Sequence, residues 1–138
     1  MKTTKPKQII GRKETVDFPE LEISGITAKI DTGAYSNTLY CRDICIKENG
    51  FLCFKVLDPE HPTLNRTEHC FSEFSMKKIK NSSGIAEERY IIKTIIRIAG
   101  RTIKSIISLT DRGNMRYPVL IGRRLLKNKF VVDVSLKN

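Results

Sequence analysis

Residues 28–39, Ala-Lys-Ile-Asp-Thr-Gly-Ala-Tyr-Ser-Asn-Thr-Leu, constrain this chain more than any other stretch. An apolar strand, Ile26 to Ile30 with Lys29 facing outward, runs into it and breaks at Asp31-Thr32-Gly33-Ala34. A carboxylate held at a strand end needs a backbone that bends sharply. Gly33 can take φ angles closed to other residues and lets a second chain or a bound molecule come close. Thr32 brings a short, stiff hydroxyl that can bond backbone groups. The same residues also suit a plain strand-to-turn junction, because Asp and Gly are ordinary turn formers.

A second segment separates the two readings. Residues 117–126 read Tyr-Pro-Val-Leu-Ile-Gly-Arg-Arg-Leu-Leu. Apolar residues, a glycine and a short helix start are what a loop crossing behind an Asp-Thr-Gly turn requires. In this order the pair resembles the retropepsin-type aspartic proteases of retroviruses.

At 138 residues the chain suits one domain, burying about two-thirds of its unfolded surface. We expect a flexible N-terminal arm at 1–7 and a single domain at 8–138. No apolar run approaches the roughly 20 residues of a membrane span. The basic start, Met-Lys-Thr-Thr-Lys-Pro-Lys, leads into no apolar h-region, so a cytoplasmic protein is expected. There Cys41, Cys45, Cys53 and Cys70 would be reduced thiols, most of them small buried hydrophobes. With His61 and His69 they lack the spacing of a zinc finger or ribbon. The net charge of +10 favours an anionic partner: acidic peptide, nucleic acid or an anionic surface.

Taken in order, the chain reads as short strands and turns. Ile9, Ile10, Val16, Phe18, Leu21 and Ile23 are inward candidates, punctuated by Gly11 and Pro19. Ser24-Gly25 reads as a turn, Ser36 to Cys45 as a strand, and Asn49-Gly50 as a hairpin turn before Phe51 to Leu57. Residues 58–69 form a polar loop with two prolines. A strand from Phe71 to Ile79, the tip Asn81-Ser82-Ser83-Gly84 and a strand from Glu88 make a long hairpin suited to a flap. Ala99-Gly100-Arg101 joins Ile91–Ile98 to Thr102–Leu109. A short helix starts near Gly122, and Phe130 to Val134 is a last strand.

Further phrases narrow the resemblance. They are Gly11-Arg12-Lys13-Glu14, Pro19-Glu20-Leu21, Ala28 to Ala34, Ser83-Gly84 followed by Glu88-Arg89, Leu109-Thr110-Asp111-Arg112 and Met115 to Arg123. Together they resemble the bacterial retropepsin-like family that carries the label ATP-dependent zinc protease. That family is often associated with an ATP-grasp ligase adding glutamates to a ribosomal protein. The resemblance implies an all-β fold, a retropepsin-like acid-protease barrel with one short C-terminal helix. No Gly-x4-Gly-Lys-Ser/Thr loop and no His-Glu-x-x-His motif accompanies it, so we expect neither cofactor nor catalytic metal.

The resemblance also implies roles. Asp31, Thr32 and Gly33 form the catalytic turn. Ala34, Ser82, Ser83 and Gly84 contact substrate, the last three closing over a bound peptide. Ile121, Gly122 and Arg123 form the supporting loop. Aspartic-protease chemistry takes two carboxylates sharing one proton, one activating water and one polarising the scissile carbonyl. The chain has one Asp-Thr-Gly, so the dyad implies a homodimer with Asp31 from each subunit at the axis. Retroviral enzymes carry an Asp where this chain has Tyr35, so Arg123 needs another partner, with Asp111 or Asp133 as candidates. Asp111 is otherwise expected in a salt bridge with Arg112 or Arg116.

Three functions are weighed. The leading one is an endopeptidase acting on peptide or protein, with acidic substrates favoured by Lys77, Lys78, Lys80 and Arg89 beside the flap. The second is a non-catalytic module that binds peptide or regulates a glutamate ligase. The third, a nucleic-acid binder, requires aromatic clusters for stacking, and the six Phe and four Tyr are dispersed.

Overall fold

The computed structural model describes residues 6–80, 83–111 and 116–137. Eleven strands are assigned among them: β1 (Gln8–Ile10), β2 (Lys13–Phe18), β3 (Ile23–Ile30), β4 (Asn37–Ile46), β5 (Leu52–Val56), β6 (Glu68–Phe71), β7 (Ser75–Lys80), β8 (Ala86–Ile98), β9 (Arg101–Thr110), β10 (Val119–Ile121) and β11 (Phe130–Val132). One short helix, α1, spans Arg123–Leu126. Among the described residues no helix is long and apolar enough to cross a membrane.

Six strands close a mixed barrel in the order β10-β3-β2-β8-β9-β4, because β10 pairs with both β3 and β4. Its pairing with β3 is parallel and with β4 antiparallel, so β10 lies between the two strands that flank the Asp31 turn. Closure leaves these six strands without open edges. Alternation explains the interior: Ala28, Ile30, Leu39, Ile92, Ile96, Ile107, Leu109, Val119 and Ile121 are buried together while Lys29 and Lys93 face out.

β5 and β6 extend the sheet from the outer half of β4, and β7 pairs with β8 as a hairpin arm. The β8–β9 hairpin turns at Ala99 and Gly100, with φ of 50° and 77°; positive φ at both is the two-residue turn that matches strand twist. β1 and β11 form a separate parallel pair.

Several local expectations change. Ile9 is 66% exposed, because β1 alternates and Ile10 takes the inward place. Ser24-Gly25 lies within β3 as a bulge: the register slips between Val16 and Phe18, Gly25 has φ of 71°, and its N–H bonds Asp17 Oδ1 at 2.8 Å. The 58–69 loop ends early, since Glu68 and His69 already pair with β5. The 71–79 strand is divided, because β6 pairs with β5 and β7 with β8, and the chain changes partners at 72–74. The cysteines are not all thiols. Antiparallel register sets Cys53 opposite Cys70, and the two form a disulfide. Cys41 is a buried free thiol, which burial holds well above its ordinary pKa, and Cys45 is free and exposed.

A candidate active site at the Asp31 turn

The turn follows directly from the strand exchange around β10. Asp31 N–H donates to the Ile121 carbonyl at 2.8 Å, continuing the β3–β10 ladder one residue past the strand. The chain then reverses, with Ala34 N–H on the Asp31 carbonyl at 3.1 Å and Gly33 N–H on Asp31 Oδ1 at 3.0 Å. The carboxylate is thus oriented by its own turn, with its second oxygen left for other partners. Thr32 and Gly33 are exposed, and Asp31 and Ala34 are half-buried. Among the described residues no second carboxyl group hydrogen-bonds Asp31.

Ile121, Gly122 and Arg123 pass directly behind this turn. Arg123 and Arg124 donate their backbone N–H groups to the carbonyls of Ala34 and Tyr35 at 2.8 and 2.9 Å. A Cβ at Gly122 would meet Ser36 O at 2.6 Å and Ala34 O at 2.8 Å, so only glycine allows this approach. The Arg123 guanidinium reaches back, with Nη1 donating to the carbonyls of Thr32 at 3.0 Å and Gly33 at 3.1 Å, and lies 5.9 Å from the Tyr35 ring centroid. Arg123 therefore takes carbonyls and an aromatic face where a carboxylate was expected. Asp133 instead accepts from Ser135, which holds its pKa below the ordinary value. Asp111 forms no ion pair with Arg116, and Arg112 lies outside the described residues.

Two residues escaped the sequence reading. Asn37 is fully buried and joins three segments. Its Oδ1 accepts from Gly122 N–H at 3.0 Å, and its Nδ2 donates to Ser105 Oγ at 3.0 Å and the Ile106 carbonyl at 3.1 Å. Its one sequence signal is the polar run Ser36-Asn37-Thr38 entering an apolar strand. Tyr40 lies within electrostatic reach of both Asp31 and Arg89. Burial raises the phenol pKa, the Arg89 charge opposes that rise, and Asp31 adds to it.

The β7–β8 arm carries the remaining expected residues. Ser83 and Gly84 stand exposed at its tip, Gly84 with φ of 82°; Ser82 lies outside the described residues. Arg89 is only 13% exposed and is ion-paired to Glu87. A hollow of about 250 Å³ beside the arm is lined by Glu87, Glu88, Arg89, Tyr90, Thr110 and Asp111, among others. Among the described residues no His or Cys is bonded to the Asp31 turn and no cluster of metal-ligating side chains includes Asp31, a donor set that does not fit a zinc centre.

A closed six-stranded barrel, with an Asp-Thr-Gly turn backed by an apolar-Gly-Arg loop, defines the retropepsin class of acid protease. The family comparison agrees: residues 9–138 match the model of RimB-like proteins, described as retropepsin-like aspartic endopeptidase RimB. The chain belongs to that family. It is 33% identical over 136 residues to a probable alpha-L-glutamate ligase of Shewanella pealeana, covering 94% of this chain and 29% of the relative. A second probable alpha-L-glutamate ligase, from Desulfotalea psychrophila, is 29% identical, with 95% of this chain and 29% of the relative covered. The chain thus spans less than a third of these relatives' length. A crystal structure of Lpg0085 from Legionella pneumophila, a protein of unknown function, superposes with a TM-score of 0.71 at 25% identity. That match covers 94% of this chain and 95% of that one.

Proposed function

We propose that this chain is an aspartic endopeptidase working as a homodimer, with Asp31 of each subunit activating water for peptide-bond hydrolysis. The observation that carries the reading is the Asp31 turn itself. One oriented carboxylate sits on an exposed Asp-Thr-Gly turn, held from behind by Gly122 and Arg123. One such carboxylate is half of a dyad, and two-fold symmetry supplies the other half. In the dimer one Asp31 takes a proton from water while its mate, protonated, donates to the scissile carbonyl oxygen. Thr32 bonds across the axis beneath them, and the hairpin tip at Ser83 and Gly84 covers the peptide. An exposed apolar row on the β1–β11 pair supports self-association: Ile9 lies opposite Val131, and they are 66% and 50% exposed.

Acidic peptides are the proposed substrate class. Lys77, Lys78 and Lys80 line the outer arm exposed, and the chain resembles a portion of proteins named glutamate ligases. That similarity also favours the second reading, a non-catalytic partner of such a ligase. Asp31→Asn decides between them. The variant keeps shape and hydrogen bonding and is expected to lose cleavage with its fold intact. Mixed in excess with wild type, it is expected to suppress wild-type cleavage as subunits exchange. Cleavage retained by Asp31→Asn overturns the carboxylate mechanism, and wild-type activity untouched by excess variant overturns the shared dyad.

A further inference from the structure

Three of the four cysteines occupy one row across three neighbouring strands. Cys45 of β4 is in register with Cys53 of β5, and Cys53 with Cys70 of β6. Residues paired directly across antiparallel strands project from the same face of the sheet, so the three sulfurs share one side. Glu68, two residues before Cys70, shares that face by the two-residue period. Its two oxygens are divided: Oε2 holds Lys47 Nζ at 3.2 Å, and Oε1 lies 3.9 Å from Cys70 Sγ. Lys47, two residues after Cys45, belongs to the same group through its bond to Glu68. The row stands toward the far end of β4 from Asn37, on the flank of the barrel, with β6 as the outer strand.

We propose that reduction of the Cys53–Cys70 bond opens a binding site for a thiophilic divalent cation of the zinc class, with Cys45, Cys53, Cys70 and Glu68 as ligands. The ligand atoms of Cys53, Cys70 and Glu68 already lie within 4.8 Å of one another. A tetrahedral zinc centre with bonds of about 2.3 Å to sulfur needs sulfurs about 3.8 Å apart and a sulfur–oxygen edge of about 3.6 Å. Thiols released from a cross-strand bridge reach that spacing by side-chain rotation, and the Cys70–Glu68 separation is already close to it. Cys45, free and exposed opposite Cys53 on the adjoining strand, stands outside that 4.8 Å group and swings in over Cys53 by side-chain rotation as the fourth ligand. Lys47 stays on the other Glu68 oxygen and offsets part of the negative charge that three thiolates and a carboxylate bring to one cation.

The chemistry balances with a phosphine as reductant. The phosphine takes oxygen from water and becomes its oxide, the sulfur–sulfur bond breaks, and the two protons of water end on Cys53 and Cys70. Binding then releases one proton from each coordinating thiol, so affinity rises with pH. No step involves Asp31.

The test uses the full chain, reduced with a phosphine, freed of reductant and titrated anaerobically with Co²⁺. The expected result is one equivalent bound, with sulfur-to-cobalt charge-transfer absorption and the visible bands of a tetrahedral centre, both erased by one equivalent of Zn²⁺. Cys70→Ser, an exposed change on the outer strand, is expected to weaken binding at least a hundred-fold, and the unreduced protein to show no bands. Cys45→Ser should remove about a third of the charge-transfer intensity. Absence of the bands in reduced protein, bands unaffected by Cys70→Ser, or full intensity in Cys45→Ser would each overturn the site as drawn.

Discussion

The Arg123 guanidinium donates one Nη1 to the carbonyls of both Thr32 and Gly33, at 3.0 and 3.1 Å, while lying against the Tyr35 ring. The loop behind the turn thereby fixes the peptide planes on either side of Gly33. Lysine offers a point charge in place of a rigid planar fork and stacks less well on an aromatic face. Arg123→Lys should therefore leave the fold nearly unchanged, with a loss of about 1 kcal/mol or less at this exposed position. It should lower kcat about ten-fold or more through misplacement of Asp31. Thermal melts and peptide kinetics on the same preparations check both halves. Unchanged kcat would show that the turn holds its shape without the fork.

Gly122 is the tighter constraint. Alanine there drives a methyl group against backbone atoms of Ala34, Tyr35 and Ser36 at 2.6–2.8 Å, and backbone cannot rotate aside as a side chain can. Gly122→Ala is expected to cost about 1–3 kcal/mol, read by urea denaturation, and to abolish cleavage. A variant of wild-type stability would mean that the loop relaxes away from the turn.

The main lines of this architecture were readable from local chemistry. Alternation marked the buried strands, Ala99-Gly100 marked a tight hairpin, and the apolar-Gly-Arg phrase marked the loop behind the turn. What stayed hidden depends on register between distant segments. Cys53 and Cys70 meet only because the 58–67 segment folds back on β5, which their spacing does not disclose. Tyr35 replaces an acid in sequence, yet Arg123 needs no acid, since main-chain carbonyls serve. Asn37 is polar in a strand and so reads as an outward residue; burial beside Gly122, Ser105 and Ile106 makes it a junction.

Ile9 and Val131 give a direct test of association. Both are large exposed apolar residues directly opposite each other on the β1–β11 pair. A carboxylate at each position resists burial against a second copy. The double variant Ile9→Asp/Val131→Asp should sediment as monomer at concentrations where wild type is dimeric, with the barrel's circular dichroism retained. A dimer of undiminished strength would move the interface elsewhere on the surface.

His69 predicts a pH dependence of stability. Its Nε2 is buried and meets no hydrogen-bond partner among the described residues. Burial lowers its pKa from the ordinary 6.5, and Glu22 opposes that only in part. Below 6.5 the unfolded chain binds more protons than the folded one, so stability rises with pH through this window. The contribution is complete above about pH 6.5 and is lost as pH falls through the folded-state pKa. Replacing the ring with an apolar one, His69→Phe, should flatten this part of the profile. Urea midpoints of both proteins at pH 7.5 and 5.5 make the comparison. Equal losses on acidification would remove His69 as the source.

Substrate choice brings the charge distribution to a test. Lys77, Lys78 and Lys80 are exposed on β7, whereas Arg89 is held by Glu87 beside a hollow that also carries Glu88 and Asp111. The lysines thus stand on the outer strand, with exposed Glu88 directly opposite Lys78 on the next one. That order speeds the approach of an acidic peptide more than it strengthens the final complex. Glutamate-rich peptides should be cut faster than neutral peptides of equal length, and mostly through kcat/KM. The preference should fade with salt, because the Debye length falls from about 10 Å at 0.1 M to about 3 Å at 1 M. Reversing charge in Lys77→Glu/Lys78→Glu should slow cleavage of the acidic peptide and spare the neutral one. A matched peptide pair assayed across salt with both proteins gives the answer. Equal rates on the two peptides at low salt would leave the basic strand with a role in solubility and edge protection alone.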